Sequence, residues 1–151
     1  MDTFTILLYI YTVEDIYMLR LINIRAQAGI SAYIAAAAEC SSLGLNLDEL
    51  LIDDPTSTYI GIADGQSMTG LGIYSGDILL ITRATEVKHN DIIVCDLNGE
   101  FLCKQVDRKG GRLMSAAKGY EPYTLRPGDD FQVEGVVVRS IRLHRPVSDL
   151  V

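Results

Sequence analysis

The dipeptide Asn98-Gly99 separates two apolar, β-branched runs, residues 91–97 and 100–107. Asn-Gly adopts positive φ at both positions at little cost, which is what a two-residue hairpin turn with the right twist requires. The two runs are therefore predicted to pair antiparallel, and the turn sets their register: Ile93 faces Lys104, Val94 faces Cys103 and Cys95 faces Leu102. Side chains alternate across a strand, so Cys95 and Cys103 point to opposite faces. Similar short runs at 58–62, 78–82, 112–116 and 132–141 surround this hairpin. Turn signals separate them: Ser75-Gly76-Asp77, Lys109-Gly110-Gly111 and Arg126-Pro127-Gly128-Asp129. Short strands at such spacing predict a compact, mainly β domain.

Upstream the texture is different. Asp53-Asp54-Pro55-Thr56-Ser57 reads as a linker, Asn46 is placed to cap a short helical turn through Leu50 and Leu51, and the alanine-rich stretch 34–40 is helix-prone. The expected organisation is an extended, partly helical N-terminal arm over 1–56, a β domain over 57–145 and a short tail over 146–151. Residues 3–24 are apolar, but Glu14, Asp15 and Arg20 interrupt them and no basic segment precedes them. This predicts an amphipathic helix or a translated leader rather than a membrane anchor, with Met18 as an alternative start.

The net charge of -7 is concentrated in the first half, where Arg20 and Arg25 are the only basic residues. Such a segment repels phosphate, so direct sequence-specific DNA binding is not expected. Cys40, Cys95 and Cys103 lack metal-ligand spacing and are expected to stay unpaired, which suits a reducing cytoplasm. His89 and His144 are isolated, Gly70-Leu71-Gly72 lacks the rest of a dinucleotide fingerprint and no phosphate-binding loop is present, so neither metal nor cofactor is expected. Arg139, Arg142 and Arg145 alternate with apolar residues and are read as a solvated strand face before an acidic-partner contact.

Two residues carry candidate chemistry. Ser67 follows Gly65 in a small-residue turn, and the Met68-Thr69-Gly70 stretch after it can open a helical turn with N–H groups free to face a developing oxyanion. Lys104 shares its predicted face with Leu102, Val106 and Ile93, and Cys95 lies diagonal to it. Those neighbours solvate an ammonium poorly. Lowering a lysine from about 10.4 to between 7 and 8 costs the charged form roughly 4 kcal/mol, within what burial supplies. A neutral lysine amine can then take the proton of a serine hydroxyl, which predicts a Ser-Lys hydrolase.

Gly65-Gln66-Ser67-Met68, Gly76-Asp77-Ile78-Leu79-Leu80, Asp91-Ile92-Ile93-Val94, Gly99-Glu100-Phe101-Leu102-Cys103-Lys104 and Glu134-Gly135-Val136-Val137-Val138 together resemble the ordered motifs of the LexA/UmuD family of self-cleaving peptidases. The resemblance covers about residues 46–142. It implies a LexA-like, signal-peptidase-like β fold, with Ser67 as nucleophile, Lys104 as general base and the backbone amides of Ser67 and Met68 as oxyanion hole. The family's motif usually has an acidic residue or Asn before the serine, where this chain has Gln66.

The family also implies self-cleavage at a small-residue-Gly bond in the arm. Ala28-Gly29 matches, and cutting there removes residues 1–28. It implies stimulation by a RecA filament on single-stranded DNA, a homodimer, and a trimmed product that serves a UmuC-like Y-family polymerase in error-prone synthesis during the DNA-damage response. The competing expectations are a LexA-type transcriptional regulator, a signal-peptidase-like membrane protease and a non-cleaving interaction module.

Overall fold

The computed structural model describes residues 11–13, 16–18 and 46–147. The chain divides into two compact units, Met1–Asp53 and Asp54–Val151. In the first unit, strand β1 (Tyr11–Val13) pairs antiparallel with β2 (Ile16–Met18). An amphipathic helix was one of the two expectations there, beside a translated leader, but the β-branched and aromatic residues of both strands favour extended backbone. Helix α1 (Leu47–Leu51) is capped as expected, with the Asn46 side chain accepting from the Asp48 N–H at 3.0 Å. Ala28-Gly29, the stretch 34–40 and Cys40 lie outside the described residues.

The second unit is a seven-stranded antiparallel sheet in the order β3-β4-β9-β5-β6-β7-β8. Its strands are β3 (Thr58–Ile62), β4 (Ile78–Thr82), β5 (Ile92–Leu97), β6 (Glu100–Asp107), β7 (Arg112–Met114), β8 (Tyr123–Thr124) and β9 (Phe131–Ile141). The β5–β6 hairpin has the register its turn dictates, with Ile93 opposite Lys104 and Cys95 opposite Leu102. Asn98 and Gly99 carry φ of 53 and 88, the left-handed values such a turn needs. The two-residue strand β8 was not expected; it extends the sheet by pairing Leu113 with Tyr123.

Strand β9 runs between β4 and β5, and its register slips once against each, between Leu80 and Ile81 and between Val94 and Cys95. Such bulges bend the strand and increase its local twist. Gly135 lies where a side chain would collide with Ile81 and with the backbone oxygen of Thr82, so the close approach of β9 to β4 requires glycine.

Each face of the sheet has its own core. Ala63, Met68, Ile73, Leu79 and Ile81 form one, with Cys103, Ala116 and Val137 packed against it. Ile93, Cys95, Leu97, Leu113 and Val136 form the other, with Leu102, Val106 and Phe131 at its margin. Cys95 and Cys103 are free thiols on opposite faces, as the hairpin register requires. Among the described residues no helix is long and apolar enough to cross a membrane.

Candidate active site

Ser67 belongs to a turn anchored by its neighbour. Met68 is buried in the first core, which fixes the backbone, while Ser67 itself is only half-buried. Gly65 supplies the left-handed φ of 87 that opens the turn, and Gly72, at φ 81, ends the short 3-10 helix Thr69–Leu71 that follows. The carbonyl of Gln66 accepts from the Thr69 hydroxyl at 3.1 Å and from the Thr69 N–H at 3.4 Å. The turn therefore closes through a backbone oxygen that any residue offers, so the departure at Gln66 does not disturb it. Among the described residues, the N–H groups of Ser67 and Met68 donate to no acceptor, and the Ser67 hydroxyl has no hydrogen-bond partner.

Lys104 is half-buried on β6, directly across from the fully buried Ile93. Burial among these apolar neighbours pushes its amine below the ordinary lysine value. The Cys103 and Cys95 thiols work in the opposite direction and rank below burial. Both are themselves pushed up to about 11 by burial and so are uncharged near neutral pH. Lys104 Nζ donates to Ser115 Oγ at 2.8 Å and lies 5.6 Å from the centre of the Tyr120 ring.

Strand β7 was expected to run to residue 116 and stops at Met114. The reason bears on the site. Ala116 turns its backbone away from β6 and bonds to the serine turn: its N–H donates to the Ser67 carbonyl at 2.7 Å, and its carbonyl accepts from the Gly70 N–H. Ser115 and Ala116 thus join the two candidate residues, Ser115 touching Lys104 by its side chain and Ala116 touching the Ser67 turn by its backbone. The side-chain hydrogen bond of Lys104 goes to Ser115, not to Ser67. Ser115 was missed in the sequence, although the Lys109-Gly110-Gly111 turn held a signal. Extending the β6–β7 register, in which Gln105 faces Met114, by one residue sets Lys104 opposite Ser115.

Within the arginine cluster, Arg142 is tied into the fold and is not merely solvated. Arg142 donates to both Asp77 oxygens, at 2.9 and 2.8 Å, and to the Gly72 carbonyl at 2.7 Å; its guanidinium lies 4.1 Å from the centre of the Tyr74 ring. Asp77 is 2% exposed and also accepts from the Tyr74 N–H at 2.8 Å. The chain beyond β9 is thereby tied to the loop that follows Ser67. The Arg142 hydrogen bonds hold the Asp77 carboxyl below the usual carboxylate range. A depressed carboxyl contributes stability above its unfolded value of about 3.9, and that contribution is lost as pH falls through the lower folded value. Asp77→Ala is expected to cost about 2–3 kcal/mol in a urea titration at neutral pH. That is below the largest penalties for broken buried pairs, because the released Arg142 side chain, 42% exposed, can hydrate. An unchanged midpoint would show that the pair contributes nothing. His89 has a local role: its Nδ1 accepts from the Arg108 N–H at 3.2 Å.

The sequence pattern of the Peptidase S24-like family matches residues 20–138. Protein ImpA of Escherichia coli is 32% identical over 93 residues, which cover 62% of this chain and 62% of that protein. LexA repressor 2 of Pseudomonas putida is 33% identical over 105 residues, covering 65% of this chain and 52% of the repressor. The LexA repressor of Bordetella avium is 35% identical over 88 residues, covering 57% and 41%. This chain therefore spans less than two thirds of the length of these relatives.

Proposed function

Because this chain belongs to the Peptidase S24-like family, in its LexA/UmuD branch, we propose that it is a serine peptidase that cuts its own arm at Ala28-Gly29. The observation that supports this reading is the Ser115–Ala116 segment: Ser115 accepts from the half-buried Lys104, and Ala116 exchanges backbone hydrogen bonds with the turn that carries Ser67. Neutral Lys104 takes the hydroxyl proton of Ser67 as Oγ attacks the carbonyl carbon of Ala28. The free N–H groups of Ser67 and Met68 stabilise the oxyanion. As the C–N bond breaks, the Lys104 ammonium returns its proton to the Gly29 nitrogen, which leaves as an amine. Water then adds to the Ser67 ester, losing a proton to Lys104, and the collapse frees the Ala28 carboxyl group and restores the hydroxyl of Ser67.

A substrate carried on the same chain is present at high effective concentration and would be consumed at once if the site were always assembled. On this reading, regulation consists in a RecA filament on single-stranded DNA favouring a docked arm and a neutral Lys104. The trimmed chain then acts as a homodimer in the cytoplasm, as accessory subunit of a UmuC-like, Y-family translesion polymerase in the response to DNA damage. Family membership and the LexA and ImpA relatives support the self-cleaving peptidase on which this role is built.

Incubating the full chain with RecA, single-stranded DNA and an ATP analogue, then sequencing any new N-terminus, tests the reading. The expected product begins at Gly29. Persistence of the full-length chain would leave a non-cleaving interaction module. Without RecA, cleavage is expected to rise about tenfold per pH unit above neutrality while Lys104 is mostly protonated. It should level off below about 10.4, the ordinary lysine value, because burial lowers that of Lys104. A rate indifferent to pH would exclude a neutral lysine as base.

A further inference from the structure

We propose that Ser115 is a positioning residue for the proton transfer: its hydroxyl oxygen holds the Lys104 amine beside the Ser67 turn. The proposal rests on the reading of Ser67 and Lys104 given above. Ser115 faces Lys104 one step beyond the β6–β7 ladder and accepts from its Nζ at 2.8 Å, the only side-chain hydrogen bond Lys104 makes among the described residues. No carboxylate pairs with Lys104 among them either. The titratable groups around it are the Cys103 and Cys95 thiols and the Tyr120 phenol, whose half-exposed ring is a loose partner.

A lysine carries its amine on a flexible four-carbon stem, and one fixed contact removes much of that freedom. Ser115 can supply it because its own backbone cannot drift from the nucleophile: the next residue, Ala116, exchanges two backbone hydrogen bonds with Ser67 and Gly70. The donor count permits both tasks. A neutral amine has two N–H groups and one lone pair. One N–H remains on Ser115 Oγ, which leaves the lone pair for the Ser67 hydroxyl hydrogen.

The full chain carrying Ser115→Ala or Ser115→Thr tests this, with the self-cleavage rate followed from about pH 6 to about pH 11. Losing the hydroxyl should lower the alkaline plateau by about tenfold to a hundredfold. It should also move the midpoint to lower pH, since an oxygen that accepts from the ammonium favours the charged form. Ser115→Thr should keep plateau and midpoint close to those of the parent chain. A plateau that stays unchanged on Ser115→Ala overturns the proposal, and so does one that rises, which would mean that Ser115 holds Lys104 away from Ser67.

A second measurement does not depend on cleavage. In the Ser67→Ala background, NMR titration of the Lys104 side chain should shift to lower pH when Ser115→Ala is added. An identical titration overturns the contact. If the parent chain fails to cleave at any pH, or Lys104→Ala cleaves as the parent does, the Ser67–Lys104 reading itself has failed and takes the proposal with it. A parent that cleaves and a Ser115→Ala chain that matches it sink only the role of Ser115.

Discussion

Ser67→Ala is expected to leave the chain at full length under conditions that convert the parent to a product beginning at Gly29, a loss of at least about 10^4-fold. The same loss is expected for Lys104→Ala. The serine substitution is close to a pure chemical deletion. Its hydroxyl has no hydrogen-bond partner among the described residues, so removing it breaks no contact, and the buried Met68 continues to anchor the turn. The thermal midpoint should therefore stay near that of the parent, and loss of cleavage reads directly as loss of the nucleophile. Lys104→Arg sharpens the second half. A guanidinium stays protonated at every accessible pH and cannot serve as a base, although it preserves a long cationic side chain on β6. The arginine chain should remain uncut at high pH, where the parent accelerates. A product beginning at Gly29 from Ser67→Ala would assign the nucleophile elsewhere.

Gly70→Ala should damage both the site and the fold. A Cβ at Gly70 would overlap the backbone oxygen and carbonyl carbon of Ala116, atoms that cannot swing aside as a side-chain tip can. Relief requires the serine turn to separate from residues 115 and 116, which breaks the Gly70–Ala116 bond and strains the Ala116–Ser67 bond beside it. Overpacking of this kind costs about 1–3 kcal/mol. Displacing a nucleophile by about 1 Å from its base costs on the order of a hundredfold in rate. Single-turnover cleavage and a urea titration on the same sample separate the two effects. A destabilised protein that still cleaves at the parental rate would show that the Ser115–Ala116 segment does not set the geometry of Ser67.

The position of the cut is itself a measurable outcome. Ala28-Gly29 lies within the stretch that the family pattern matches from residue 20 onward. N-terminal sequencing of the product is thus as informative as the loss-of-function variants. A product starting elsewhere in the arm would move the bond while leaving Ser67 and Lys104 in their roles.

Much of this protein was legible from short-range chemistry. The left-handed φ preference of Asn98-Gly99 determined the hairpin register, and with it the apolar neighbours of Lys104 and the opposite facing of Cys95 and Cys103. The cap at Asn46 and the bounds of β3, β4 and β6 followed from turn residues and alternation in the same way. These features depend on a few consecutive residues, and the dihedral limits of those residues travel with the chain. The early end of β7, the two register slips along β9, the pairing of Arg142 with Asp77 and the contact of Lys104 with Ser115 were decided only in three dimensions. Each joins groups whose nearness depends on how the sheet curves and which backbone groups remain unpaired once it has closed. A charged or polar side chain takes the partner that burial leaves within reach, and that choice is made by the assembled sheet.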